Sequence, residues 1–316
     1  MRARATGAAV LFFLAASAVA QDKPPPPGSR KHGIDPKAGP SSEKAPEKYD
    51  PRVGFAWRKG DKRRMVNAMK AEHLLTYYRG NQPVHVENRT DGFEIRYVDA
   101  VAAVTAHEGV TKIDRTYERV KDFATGREDR KPKTVSLDYT RPKMVWSKEE
   151  TTDLHPLATE LLDNASKRDM RDLAQLYPQE GEVEIGQEWE IPPDAIARLW
   201  LLDDLHLDDG HCTGVLAARR TVRGVEQVKM VLTLRLRMRR LWDSELEFDP
   251  PAELETEMEV WSAAQGEHPD EEATMRGSIS GRGKLPESAK APKDARLEVK
   301  TTMKGEFKAT LVAATR

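Results

Sequence analysis

The most site-like cluster in the chain is Asp203-Asp204-Leu205-His206-Leu207-Asp208-Asp209-Gly210-His211-Cys212. Carboxylates and imidazoles ligate metals, and an Asp-rich loop offers oxygens to a hard cation. Asp204, His206, Asp208 and His211 are therefore weak metal candidates. Their spacing fits neither a His-Glu-x-x-His helix nor an EF-hand loop, and Leu205 and Leu207 take packing positions. The simpler reading is a solvated helix end that turns at Gly210. Cys212 is the sole cysteine, so no intramolecular disulfide can form. As a nucleophile it would need a base, and its neighbour His211 would point to the opposite face of a strand. Cys212 reads as a small buried apolar side chain.

A second cluster, Arg235, Arg237, Arg239 and Arg240, would suit phosphate or nucleic acid. The Glu253, Glu255, Glu257 and Glu259 row that follows offers a simpler partner. Asn88-Arg89-Thr90 matches a glycosylation acceptor, a pattern common by chance. Gly181 and Gly186 form no phosphate loop, no Gly-x-Ser-x-Gly elbow is present, and the eight histidines show no motif spacing. The expectation is a non-enzymatic protein with no catalytic residue and no cofactor.

Composition narrows the partners. The 316 residues carry 51 basic and 52 acidic side chains. Residues 1–20 read as a secretory signal, with Arg2 and Arg4 before an apolar core and Ala18-Val19-Ala20 at the cleavage site. Its removal takes two basic charges and no acidic one from a net charge of −1, leaving −3 and no global attraction to nucleic acid. No later stretch approaches the roughly 20 apolar residues of a membrane helix, and no cysteine follows the cleavage site to carry a lipid. The mature chain is expected to be soluble and periplasmic or extracellular, without a lipoprotein anchor or a transmembrane segment.

The elements that must position these residues follow from periodicity. Residues 21–52, rich in Pro, Lys, Ser and Gly, read as a disordered tether. Residues 53–316 read as a single β-rich domain of two halves, 53–150 and 178–316, joined by a helical segment over 153–177. In the first half, Phe93, Ile95 and Tyr97 alternate with Glu94, Arg96 and Val98, and turn signals fall at Arg79-Gly80-Asn81, Thr90-Asp91-Gly92, Glu108-Gly109 and Thr125-Gly126-Arg127. Met65 to Tyr78 is assigned to a strand, although its Met, Ala and Leu content would equally permit a helix. Leu154, Leu157, Leu161, Ala165, Leu173 and Leu176 recur at helical spacing with Asp153 as a possible cap, and a second helix is expected from Asp194 to Leu205.

Val183 to Ile191 forms two short extended pieces about Gly186. The clearest pattern lies beyond them. Val228, Met230, Leu232, Leu234, Leu236 and Met238 share one face, and Leu254, Thr256, Met258 and Val260 do the same before the Ala273–Gly283 and Leu297–Leu311 strands. A connection over Asp243–Ala252 should make the first two neighbours with facing Arg and Glu rows. The fold class is α+β, β-dominated, with a long curved antiparallel half-barrel sheet packed on two or three helices.

The mid-chain residues Leu176-Tyr177-Pro178 and Val183-Glu-Ile-Gly-Gln-Glu-Trp189 resemble a motif, Phe/Tyr-Pro followed by Val-x-Val-Gly-Asp-x-Trp, of a group of uncharacterised exported bacterial proteins. Gln187 stands where that motif has Asp, and Ile185 where it has the second Val. More remotely, the arrangement is similar to the LolA-like periplasmic lipoprotein carriers, which implies a curved sheet half-closed over helices around an apolar cavity. Two functional classes result. One is a carrier of a lipid or another apolar ligand, in a cleft lined by Trp189, Trp200, Met230, Leu234, Met238, Met258 and Phe307. The other is an envelope structural or protein-interaction module with a filled core.

Overall fold

The computed structural model describes residues 48–51, 57–105, 109–141, 143–147, 153–179, 181–199, 207–240, 246–264, 270–285 and 295–313. The expected signal segment and nearly all of the expected tether lie outside them. Lys48 and Tyr49, near the tether's end, form β1, which pairs with β8 (Val183–Glu184).

One antiparallel sheet holds the other strands. They are β2 (Lys62–Arg79), β3 (Gln82–Thr105), β4 (Gly109–Asp122), β5 (Glu128–Asp129), β6 (Lys133–Asp138) and β7 (Val145–Trp146), then β9 (Glu188–Ile191), β10 (Leu207–Val222), β11 (Val225–Arg240), β12 (Glu247–Ala263), β13 (Glu271–Lys284) and β14 (Ala295–Ala313). Their spatial order is β7-β6-β4-β3-β2-β14-β13-β12-β11-β10-β9, with β5 paired to β4, and the sheet is not closed. The chain's last strand pairs with its first long one, from Arg79 opposite Ala295 to Lys62 opposite Ala313, so both halves share a single sheet.

Period-two patterning explains the strands. On β11 every even residue from Val228 to Met238 is buried, while Arg235 and Arg237 are exposed. Antiparallel pairing sets Arg235 opposite Glu255 and Arg237 opposite Glu253, as the two charged rows predict. Met65–Tyr78 lies within strand β2, where pairing on both sides overrides its local helix propensity.

Three expectations need correction. Thr90-Asp91-Gly92 is no turn but the middle of β3. Gly92 is required there because its φ is +126° and a Cβ would lie 2.1 Å from the Met69 carbonyl oxygen. Pro250-Pro251 lies inside β12, where the register with β13 is interrupted between Phe248 and Glu253, so prolines sit where ladder bonds are not needed. The described part of the Asp/His cluster is strand rather than helix end: β10 begins at Leu207, and Gly210 pairs with Leu236.

Among the described residues the helices are shorter than expected and differently placed. Helix α1 spans Pro156–Lys167, capped by His155 rather than Asp153, and a 3-10 segment follows over Met170–Leu176. Helix α2 is Pro193–Leu199, and the remainder of the expected Asp194–Leu205 helix lies outside the described residues. Helix α1 packs against β4 and β7, whereas α2 packs against the 3-10 segment and β10. The helices thus serve the two ends of the strand order rather than its middle. Gly210 permits the second contact, since a Cβ would meet Leu236 Cδ2 at 2.6 Å and Pro193 Cβ at 3.0 Å.

Candidate functional site

The buried face of the sheet carries five of the seven expected cleft residues. Met230, Val260, Ala273, Phe307, Asn67, Ile95 and Val120 stand directly opposite one another across seven strands and form one row. Met258 belongs to the next row and Leu234 to the one after. Met238 lies at the other end of β11, roughly 27 Å from Met230 at about 3.4 Å per residue. These residues share a face but do not converge on one cleft. All five are buried to 6% exposure or less, in a core cluster that also includes Ala158, Leu161 and Leu162 of α1 and Ile196 and Leu199 of α2.

Trp189 is half-buried on β9 opposite Gly214. A Cβ at Gly214 would lie 2.3 Å from the Trp189 ring, so the glycine leaves the space the indole fills. The indole N–H donates to the Leu176 carbonyl at 3.0 Å, tying β9 to the 3-10 segment. Tyr49 hydrogen-bonds Glu226 and packs with Val183, Leu216, Val228 and Ala264 in a second cluster that Trp189 also touches. Trp200 lies outside the described residues.

The metal candidates gain no geometry. Asp204 and His206 lie outside the described residues, as does the side chain of Asp208, and His211 is exposed on the face opposite Cys212. Among the described residues no group of three or more His, Cys, Asp or Glu side chains could hold a metal ion. Cys212 is buried, and burial pushes its thiol up to about 11, where it is not a ready nucleophile.

The sequence reading missed the polar groups on the buried face. Arg115 of β4 stands opposite Asp99 of β3 and donates to both carboxylate oxygens at 2.7 and 2.8 Å. Its guanidinium lies 4.0 Å from the Tyr97 ring centroid. Burial disfavours the Arg115 charge, but Asp99, with smaller contributions from Tyr97 and Tyr117, holds its pKa above the ordinary value. Burial raises the Tyr97 and Tyr117 phenols and pushes Tyr139 up to about 12. Asn67, with no exposed surface, has neither amide atom hydrogen-bonded. Arg63 is buried beside Glu271 at 2.6 Å and under the Trp57 ring at 5.7 Å. The available signal was phase: Ile113, Arg115 and Tyr117 share one parity, so an inward strand face included an arginine.

No protein-family model and no curated protein matches this sequence. Among solved structures, the Salmonella typhi porin OmpF, in complex with daunomycin, is similar at 8% identity and a TM-score of 0.21, covering 79% of this chain and 99% of that one. At that score the likeness carries no argument about fold or activity.

The described surface contains a pocket of about 440 Å3 lined by Arg239, Glu247, Phe248, Asp249, Pro251 and Lys284. Four of its six lining residues are charged, so it is not the apolar cleft a lipid would need. Among the described residues no helix is long and apolar enough to cross a membrane, which leaves membrane strands unaddressed.

Proposed function

We propose that this protein is an exported, non-enzymatic binding protein of the cell envelope that acts through its surface, its interior being filled by its own side chains. A closed barrel of about eight strands has a bore that side chains just fill, and wider ones enclose a cavity, a channel or an internal element. Here the path has eleven strands and is not closed, with α1 packed near one end of the strand order and α2 and the 3-10 segment near the other. The observation that carries this reading is the burial of Met230, Leu234, Met238, Met258 and Phe307 in one cluster with both helices. The test is mass spectrometry of organic extracts from protein purified out of its native host. No lipid above control is expected; one co-purifying in stoichiometric amount would overturn the reading.

A lipid carrier is the second reading, and one observation favours it. Leaving the Asn67 amide buried without partners costs about 1–3 kcal/mol, a cost that a ligand carbonyl or hydroxyl could offset. In that case the helical segment would have to move aside to admit the ligand.

A further inference from the structure

From Phe93 onward β3 is paired with β2 on one side and β4 on the other. From Gln82 to Asp91 only β2 pairs with it among the described residues. The open edge has a definite phase, because the Phe123 N–H donates to the Gly92 carbonyl at 2.9 Å where β4 leaves off. Backbone groups of alternate residues point to the same side of a strand. Thr90, Asn88 and Val86 therefore direct their N–H and C=O groups at the open edge. The segment is solvated on both faces, with Val84 62% and Val86 53% exposed on one and His85 and Arg89 exposed on the other.

Two features bound the usable run. At one end the β4 turn occupies the edge at Gly92. At the other, Pro83 has no N–H, and the register slips beside it. What remains is residues 85–91, whose midpoint is Asn88. His85, Glu87, Arg89 and Asp91 share one face of this run, and Arg89 already donates to Glu87 at 3.1 Å. A second copy laid antiparallel about a two-fold axis through Asn88 sets each Glu87 opposite Arg89 of the other copy and each His85 opposite Asp91. Val86 then meets Thr90, and the two Asn88 residues exchange backbone hydrogen bonds, as the outward phase requires. The in-strand Glu87–Arg89 pair becomes one side of a square of four alternating charges.

We propose that two copies of this chain join edge to edge through residues 85–91 of β3, centred on Asn88, making one continuous sheet across a two-fold axis. Exposed edges of this kind template strand addition, and the charge pattern, complementary to itself about Asn88, selects a second copy. This holds whether the interior is filled or carries a ligand.

The test uses the full mature chain from a host that does not glycosylate Asn88. Light scattering should give twice the chain mass for the wild type and a single chain mass for Glu87→Arg and for Arg89→Glu alone. Mixing the two variants should restore the doubled mass, because each supplies the charges the other lacks. Asn88→Cys should also form a disulfide-linked dimer on mild oxidation, since a hydrogen-bonded antiparallel pair has Cα atoms about 5.5 Å apart, within disulfide reach. Lys304→Cys, exposed on β14, should not. A wild-type protein that stays monomeric at high micromolar concentration overturns the proposal. So does a dimer that survives both charge reversals, or a mixture that stays monomeric.

Discussion

Arg235 on β11 and Arg115 on β4 each face a carboxylate directly across an antiparallel pair, and the two sites differ in almost everything else. The Arg235 and Glu255 side chains are 65% and 66% exposed and meet at 3.6 Å. The Arg115 and Asp99 side chains are 3% and 12% exposed and form two short bonds beneath the Tyr97 ring. Cross-strand geometry is shared; water is not. On the outer face a charge pair tunes a register that the apolar face already fixes. On the buried face each charge depends on the other, because neither can recover hydration if its partner is lost.

The largest expected effect breaks the buried pair. Arg115→Ala should destabilise the fold by about 3–5 kcal/mol, since Asp99 would be left without its counter-charge in an apolar setting. Replacing both partners, Arg115→Met with Asp99→Leu, should restore most of that stability. Denaturant midpoints for the single and double variants make the test. A single variant costing under about 1 kcal/mol, the range of an exposed pair, would show that water reaches Arg115 and would erase the contrast between the faces.

An intermediate effect comes from a buried group that titrates. The Nδ1 atom of His155 accepts the Leu157 N–H at 3.2 Å and caps α1. Burial, aided by the charge on Arg127, lowers its pKa, so the neutral ring is the native form. A group depressed on folding binds its proton more readily in the unfolded chain. The cap is therefore intact above the unfolded value of about 6.5 and is lost as pH falls from there through the lower folded value. His73, whose Nδ1 lies 2.9 Å from the Thr301 hydroxyl and whose pKa burial also lowers, adds a loss of the same sign. His155→Asn keeps a capping acceptor without a titrating ring. It should leave stability at pH 7 within about 1 kcal/mol and make the decline between pH 7 and pH 5 shallower. An unchanged slope in paired denaturant melts would remove His155 from the account.

How much of this was legible in the chain follows from the same contrast. Alternation in Val228–Met238 and in Leu254–Val260 disclosed both faces and the Arg–Glu pairing, because every outer residue but Val231 was polar and each inner one apolar or small. The same rule hid Arg115, since a charged residue at an inward position looks like an outward one until its neighbours Ile113 and Tyr117 are counted in phase. Gly92 was misread as a turn because positive φ is usual there, and only the close approach of the Met69 carbonyl explains its place in a strand. The metal candidates stood together in the sequence, but a strand separates adjacent side chains to opposite faces, and His211 and Cys212 part company there. Five of the seven expected cleft residues, Met230, Leu234, Met238, Met258 and Phe307, lie on the buried face. Their spread along β11 was not foreseen, because sequence spacing in a strand measures length, not convergence.

The smallest effect tests the outer face. Arg235→Glu places two glutamates opposite each other on β11 and β12, and Glu255→Arg in the same chain restores opposite signs with the order reversed. Both side chains remain in water, so the single change should cost only about 0.2–1 kcal/mol and the double change should recover most of it. Raising the salt should shrink the difference, because a Debye length of about 10 Å at 0.1 M falls to about 3 Å at 1 M. The apolar residues on either side set the scale: Leu234 and Leu236 are buried, and each stabilises the fold by roughly 1.5–3 kcal/mol. If Arg235→Glu proved as damaging as Arg115→Ala, with no dependence on salt, the outer row could not be solvated in solution. Some partner would have to cover that face.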